Sequence, residues 1–268
     1  MRIGITANSE IPEAIRVSRQ VLNELEGQDI VLESGLAGLF GRPGMPIEEM
    51  DIDVLVTVGG DGTILRSLQR TEAPIFGVNA GALGFLTEIT ENDLKEGIRS
   101  LLDGNYFIED RVKLATRVGD RRLFDATNEA AVHTAHIAKI RHFQVFVDDQ
   151  LAMDVRADGI IVATSTGSTC YAMSVGGPII DPRVDAFLIA PMAPFKFGTR
   201  PLVVPATSHV HLLLARPKPC LCVIDGQQEM PMEGDEMCEF QLAERKSRFI
   251  RMERSFYPRL REKLVCAL

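Results

Sequence analysis

Tryptophan is absent from this chain of 268 residues and tyrosine occurs only 3 times, so an aromatic side chain in a polar stretch stands out. Basic residues are in the minority, with 29 Lys and Arg against 37 Asp and Glu and a formal net charge of −8. That balance excludes the positive footprint of a nucleic-acid binder. No apolar run approaches the roughly 20 residues of a membrane span. The opening MRIGITANSE has no extended apolar stretch after its basic residue, so it reads as a first strand and not as a secretion signal. A soluble cytoplasmic protein is the expectation. The 5 cysteines form no CxxC pair, and Cys220 and Cys222 point the same way from a strand without closing a metal site. They are expected to be reduced and mostly buried. Neither GxGxxG nor GxxxxGKS occurs, so the usual dinucleotide and P-loop fingerprints are missing as well.

What is present is ordinary globular composition, 46% hydrophobic and 25% charged, enough for one large core or two modest ones. Over the first hundred residues strand and helix signals alternate: RIGIT, a helical stretch from Ile11 to Leu25, DIVLE, DVLVTV, a helix from Gly62 to Arg70, PIFGVN, and NDLKEGIRSLLDG with Asn92 as N-cap and Gly104 just past the end. Such alternation predicts a parallel sheet. After Tyr106 short strands and turn signals take over, including hairpin turns at Gly119-Asp120 and Asp148-Asp149. The fold class expected is therefore an α/β N-terminal domain with a parallel sheet, residues 1–105, followed by an all-β sandwich-like C-terminal domain, residues 106–249. The helical segment at about 250–268 is expected to return to the first domain.

DVLVTV is a nearly continuous apolar run, as expected of a strand covered on both faces, and it ends in Gly59-Gly60-Asp61-Gly62. Glycines at the C-terminal end of a parallel strand let backbone approach a phosphate, and the next helix points free N–H groups at it. A pure phosphate cradle would avoid the carboxylate of Asp61. Either Asp61 accepts a hydroxyl proton, or it binds a metal that accompanies the phosphate, or it is simply an N-cap in a strand-to-helix turn.

The segment from Arg156 to Ile180, RADGIIVATSTGSTCYAMSVGGPII, is too polar for a core strand after Ala163 and surrounds Tyr171 with small hydroxyl residues and glycines. It has the texture of a ligand loop. Together with VGGDGT, with NAGALGFLTE at 79–88 and with the pair Asn128-Glu129, it resembles the NAD kinase family, over most of the chain and in the same order. GGDGT alone is shared with diacylglycerol and sphingosine kinases and phosphofructokinases; the series is far more specific.

The resemblance implies transfer of a phosphoryl group from ATP, or in some members polyphosphate, to the 2′-hydroxyl of the adenosine ribose of NAD, with a divalent metal ion such as Mg²⁺. Asp61 matches the aspartate proposed to take the hydroxyl proton. Gly62 would give close backbone approach, and Arg66 could reach a phosphate. Asn128 and Glu129 match the pair that holds the adenosine side. Asp158, with Arg156 beside it, matches an acidic residue near the nicotinamide end that a neighbouring subunit supplies in oligomeric members. Thr169, Cys170, Tyr171, Ala172, Met173 and Ser174 match the stretch lining the adenine, and Ala193, Gln227 and Lys139 match further NAD contacts. These assignments put NAD in a cleft between the two domains. The resemblance further implies a homodimer or homotetramer, with no nucleic-acid or membrane partner. One departure is visible: in APMAPFKFGTRPLV, Phe195 stands where many members carry His, which bears on selectivity between dinucleotide forms.

Two pairs of histidines carry blander readings. His133 and His136 lie in what reads as one strand, where positions i and i+3 face opposite sides, which disfavours joint ligation. His209 and His211 share a face and read as a hydrogen-bonded surface pair. Two rivals to an NAD kinase remain at this point, a lipid or sugar kinase sharing GGDGT and a non-catalytic dinucleotide sensor.

Overall fold

A computed structural model of the chain describes all residues except 82–83, 137–138, 197 and 265–268. Those exceptions take in Ala82 and Leu83 of NAGALGFL, Ile137 and Ala138 after the HTAH stretch, Phe197 and Cys266. In chain order the elements are β1 Arg2–Ala7, α1 Pro12–Glu24, β2 Asp29–Leu32, α2 Ser34–Phe40, β3 Val54–Gly59, α3 Asp61–Leu68, β4 Ile75–Asn79, β5 Ile89–Thr90, α4 Leu94–Leu102 and β6 Phe107–Arg111. There follow β7 Leu114–Val118, β8 Arg121–Arg122, β9 Glu129–Thr134, β10 Arg141–Val147, β11 Gln150–Ala157, β12 Gly159–Thr164, α5 Tyr171–Ser174, β13 Ala186–Met192 and β14 Leu202–Pro205. The last elements are β15 Val210–Leu214, β16 Cys220–Ile224, β17 Gln228–Met232, β18 Cys238–Leu242, β19 Ser247–Arg251 and α6 Phe256–Leu264.

The chain divides into one unit of residues 1–110 and 247–268 and a second of residues 111–246. In the first, the sheet runs β2-β1-β3-β4-β19-β6, with β5 also paired to β4. β3 lies at its centre, parallel to β1 and β4, and every one of its residues is buried, which is why its sequence is a continuous apolar run. α1 begins with Pro12 in its first turn and buries Ala14, Val17, Ser18 and Val21 against the sheet, a stripe at helical spacing. Two expectations at helix starts need correction. Asn92 sits in a short 3₁₀ turn, and Asp93 is the residue before α4; its carboxylate accepts the Thr90 hydroxyl at 2.7 Å instead of capping the helix. α3 starts at Asp61, with Gly60 as its N-cap, and ends at Leu68, two residues before Arg70.

The second unit is antiparallel throughout. Its two six-stranded sheets run β11-β10-β15-β18-β7-β8 and β14-β13-β12-β9-β16-β17. Inward residues of both interleave in one core: Phe143, Val145, Leu212 and Phe240 from the first, Val132, Ile160, Phe187 and Cys222 from the second. This is the alternating, two-sheet arrangement of a β-sandwich. Asp148 and Asp149 both take positive φ, 49° and 63°, in the two-residue turn joining β10 to β11, as a primed hairpin turn requires. β8 is much shorter than RRLFDA suggested, and β9 ends at Thr134, so His136 lies beyond the strand. His209 Nδ1 and His211 Nε2 are 3.0 Å apart and share a hydrogen bond. Cys220, Cys222 and Cys238 are free and buried, and Cys170 is free and half-buried.

Candidate active site

In the first unit the site is built where β3 gives way to α3. Gly59 has φ +154°, and a Cβ there would overlap the Thr63 hydroxyl, so the chain turns sharply at a residue only glycine can occupy. Asp61 follows, in the first helical turn, where an anion is favoured by the helix dipole. Its carboxylate reaches across to the segment after β4: Phe85 N donates to Oδ2 at 2.9 Å and Leu86 N to Oδ1 at 3.0 Å. A Cβ on Gly84 would overlap Asp61 Oδ1 and lie 2.6 Å from Cγ, so this glycine makes room for the carboxylate. Thr87 Oγ1 accepts from Gly84 N at 3.0 Å and from Asn79 Nδ2 at 3.3 Å, bracing the segment. Asp61 is therefore held by two backbone N–H groups rather than capping α3 itself. At Gly60 and Gly62 a Cβ would meet open space among the described residues, so packing does not explain the lack of a side chain at either position. Arg66 is exposed, one turn further along α3.

In the second unit, Glu129 begins β9 and Asn128 immediately precedes it; both are buried. Asp225, in the turn between β16 and β17 at φ 50°, holds this start in place. Its Oδ2 accepts Thr127 N at 2.8 Å, and its Oδ1 accepts Asn128 N at 2.8 Å and Glu129 N at 3.1 Å. Gln227 closes the same turn, its N–H on Ile224 O at 2.8 Å. From the other side, the turn at Thr166–Thr169 lies against Asn128: a Cβ on Gly167 would overlap Asn128 O and lie 2.6 Å from its carbonyl carbon. α5 follows at once, bringing Tyr171, Ala172, Met173 and Ser174, and the Tyr171 N–H donates to the Glu129 carboxylate. Among the side chains that converge here, Asn128 Oδ1, Glu129 Oε2 and Thr166 Oγ1 are buried without a hydrogen-bond partner. Buried polar groups are nearly always paired, so three orphans around one turn mark a place for a polar ligand. Burial first and the Asp225 carboxylate second push Glu129 up to about 8, against the pull of the Tyr171 N–H. Asp225 is likewise raised by burial, although its three backbone donors oppose that, and burial lowers Lys113 nearby.

The other residues singled out in this unit are not at that end of the sheet. In the register of β12, Ala163 pairs with Glu129 but Gly159 pairs with His133. Asp158 precedes β12, its N–H on Met192 O at 2.9 Å, and Ala193 follows β13 with φ 44°. Arg156 and Lys139 are exposed on the same side, and Phe195, 72% exposed, donates its N–H to Arg156 O at 2.8 Å. At about 3.4 Å per residue the six residues of β12 put roughly 17 Å between the two groups. Asp225, Thr166 and Gly84 had not been singled out from the sequence. The Asp-Gly dipeptide closing an apolar run was the signal for Asp225, since Asp tolerates the left-handed region.

A parallel strand ending in Gly-Gly-Asp-Gly at a helix N-terminus, with a β-sandwich carrying the TGST turn, defines a two-unit kinase of the GGDGT type. Residues 42–106 match the ATP-NAD kinase N-terminal domain and residues 127–252 the ATP-NAD kinase C-terminal domain. The chain belongs to the NAD kinase family. It is 41% identical to the NAD kinase of Methanothermobacter thermautotrophicus, covering 99% of this chain and 96% of that one. It is 38% identical to that of Thermococcus kodakarensis, covering 98% and 99%. Among solved structures, an NAD kinase from Archaeoglobus fulgidus in complex with ATP aligns with a TM-score of 0.82 and 30% identity over 96% of each chain. Yeast NADH kinase complexed with NADH shares the fold, with a TM-score of 0.88 at 21% identity over 100% of this chain and 88% of that one. Family membership decides against the lipid and sugar kinases that share GGDGT.

Proposed function

We propose that this protein is a cytoplasmic NAD kinase, transferring a phosphoryl group from ATP, or from polyphosphate, to the 2′-hydroxyl of the adenosine ribose of NAD to give NADP. The observation that carries the reading is the fixed carboxylate of Asp61 beside Gly60 and Gly62, where a Cβ would meet open space among the described residues. Each carboxylate oxygen keeps a lone pair beyond its backbone bond, so the group can accept the ribose hydroxyl. Phosphoryl transfer needs alignment and charge neutralisation more than covalent assistance. Gly62 lets the phosphate approach the free N–H groups at the start of α3, and Arg66 meets its charge. Asn128, Glu129 and the Thr169–Ser174 stretch hold the adenosine, with the orphaned Asn128 Oδ1 and Glu129 Oε2 as its polar contacts. Gln227 adds to that group, while Lys139, Arg156, Asp158 and Ala193 form a second group toward the nicotinamide end.

No group of three or more His, Cys, Asp or Glu side chains suited to a metal occurs among the described residues, and both Asp61 oxygens already hold backbone N–H groups. A divalent cation such as Mg²⁺ would come as a companion of the donor phosphates, with Asp61 as a protein carboxylate that could share in holding it. It would supply charge neutralisation on the transferring group.

The division of roles is tested by two variants. Asp61→Asn keeps the size of the side chain but loses its basicity and one of its two acceptors for the Phe85 and Leu86 N–H groups, and lowers kcat about a hundredfold or more with KM for NAD within about threefold. Asn128→Ala raises KM for NAD and leaves kcat closer to the wild type. Equal losses in both parameters for both variants would overturn the assignment. Binding of NAD by a chain that forms no NADP would favour the sensor instead.

A further inference from the structure

Asp61 is not anchored by a free loop. The segment that donates to it, Phe85 to Glu88, is itself gripped on its other side by two arginines, Arg251 at the end of β19 and Arg259 in α6. Arg259 donates to Thr87 O, to Phe85 O at 3.3 Å, to Glu88 O at 3.1 Å and to Glu88 Oε2 at 3.1 Å. Arg251 donates to Leu86 O at 3.1 Å, to Thr87 O at 3.2 Å and to Glu88 Oε2 at 2.8 Å, and its Nε to Glu109 Oε2 at 3.0 Å. Four successive carbonyls, of residues 85 to 88, thus face guanidinium groups. Glu88 and both arginines are buried, so these charges are not screened by solvent.

The peptide between Phe85 and Leu86 has a special place in this arrangement. Its carbonyl oxygen accepts from Arg259, and its N–H is the donor to Asp61 Oδ1. The peptide dipole therefore lies between a cation and the carboxylate with its positive end toward Asp61. Hydrogen bonds in such a chain polarise one another.

We propose that Arg259 is a positioning residue for the phosphoryl transfer: it sets the position and strength of the Phe85 and Leu86 N–H donors that hold Asp61, so that α6 belongs to the catalytic apparatus without touching substrate. Arg251 shares the load on Leu86 and Thr87 and fixes Glu88. The inference rests on the reading of Asp61 as the group that meets the ribose hydroxyl.

The test is a double-mutant cycle between Arg259 and Asp61, read as kcat and KM for NAD, with thermal unfolding followed in parallel. Arg259→Met lowers kcat about tenfold or more while KM for NAD stays within about twofold, and Arg259→Lys restores most of that loss. In the Asp61→Asn background the same Arg259→Met change costs less than about twofold, because the carboxylate it positions is gone. Should Arg259→Met fail to fold, Arg259→Met with Glu88→Gln removes cation and carboxylate together, leaving Arg251 paired with Glu109, and serves in its place. The proposal is overturned if Arg259→Met costs the same factor with and without the Asp61 carboxylate, if KM rises as much as kcat falls, or if kcat is unchanged. A normal kcat for Asp61→Asn alone would instead refute the role of Asp61, leaving the coupling unsupported for a different and recognisable reason.

Discussion

Two glycines near Asp61 have different reasons to be glycine. Gly62 faces open space among the described residues, whereas Gly84 lies so close to the Asp61 carboxylate that even a methyl group would displace it. Gly84→Ala is expected to cost about 2 kcal/mol of stability or more and to lower kcat as Asp61→Asn does; an alanine variant with wild-type unfolding temperature and activity would contradict that geometry. Glu129 makes a second residue-scale prediction. Its value in the folded chain, about 8, lies above that of an ordinary Glu. Between the unfolded value and about 8 the unfolded chain has released the proton and the folded chain has kept it. Its contribution is therefore fully present below the unfolded value and is lost as pH rises, by at most about 1.4 kcal/mol per pH unit. Glu129→Gln lacks this loss, so its unfolding temperature, measured without substrate, should gain on the wild type as pH rises from 5 to 8. A constant difference would contradict the raised value.

At the scale of elements, the legible parts of the sequence were those whose burial is uniform. β3 and β12 are buried at every position and read directly as apolar runs. α1 showed its stripe and its Pro12. α2 was missed because SGLAGLF carries two glycines, with a third just past it, and only Leu36 and Ala37 are buried; the helix exists because the Glu33 carboxylate caps Gly35 N and Leu36 N and Gly41 ends it in the left-handed region. β19 was missed for another reason: it is a strand of the parallel sheet contributed by the far end of the chain, beside β4, and local pattern carries no sign of such a partner. In the site, motif residues were legible and their supports were not. The hold of Asp225 on the start of β9 depends on a pairing across 96 to 98 residues. Asp225→Ala should accordingly weaken NAD binding about tenfold or more by freeing Asn128 and Glu129, without lowering kcat at saturation to the extent of Asp61→Asn. Calorimetry that finds unchanged NAD affinity would refute this role.

For the whole molecule, the two groups of assigned residues at opposite ends of β12 raise the question of which chain each serves. We propose a homodimer or homotetramer in which Asp158 of one chain completes the site of its neighbour, which would account for both groups. Mixing Asn128→Ala with Asp158→Ala, after reversible dissociation, should then restore about a quarter of the wild-type activity, because half of randomly formed pairs are mixed and each has one intact site. No recovery above the parent variants would place both residues in the same chain's site. No helix among the described residues is long and apolar enough to cross a membrane.

The most direct test of the account is the reaction itself: purified protein incubated with NAD, Mg²⁺ and ATP, with polyphosphate in a parallel reaction, and NADP read by an NADP-specific dehydrogenase. NADP should accumulate with wild-type protein and at least one donor, and fall about a hundredfold or more with Asp61→Asn. Failure of the folded wild-type protein to form NADP from either donor, with NAD bound, would contradict it.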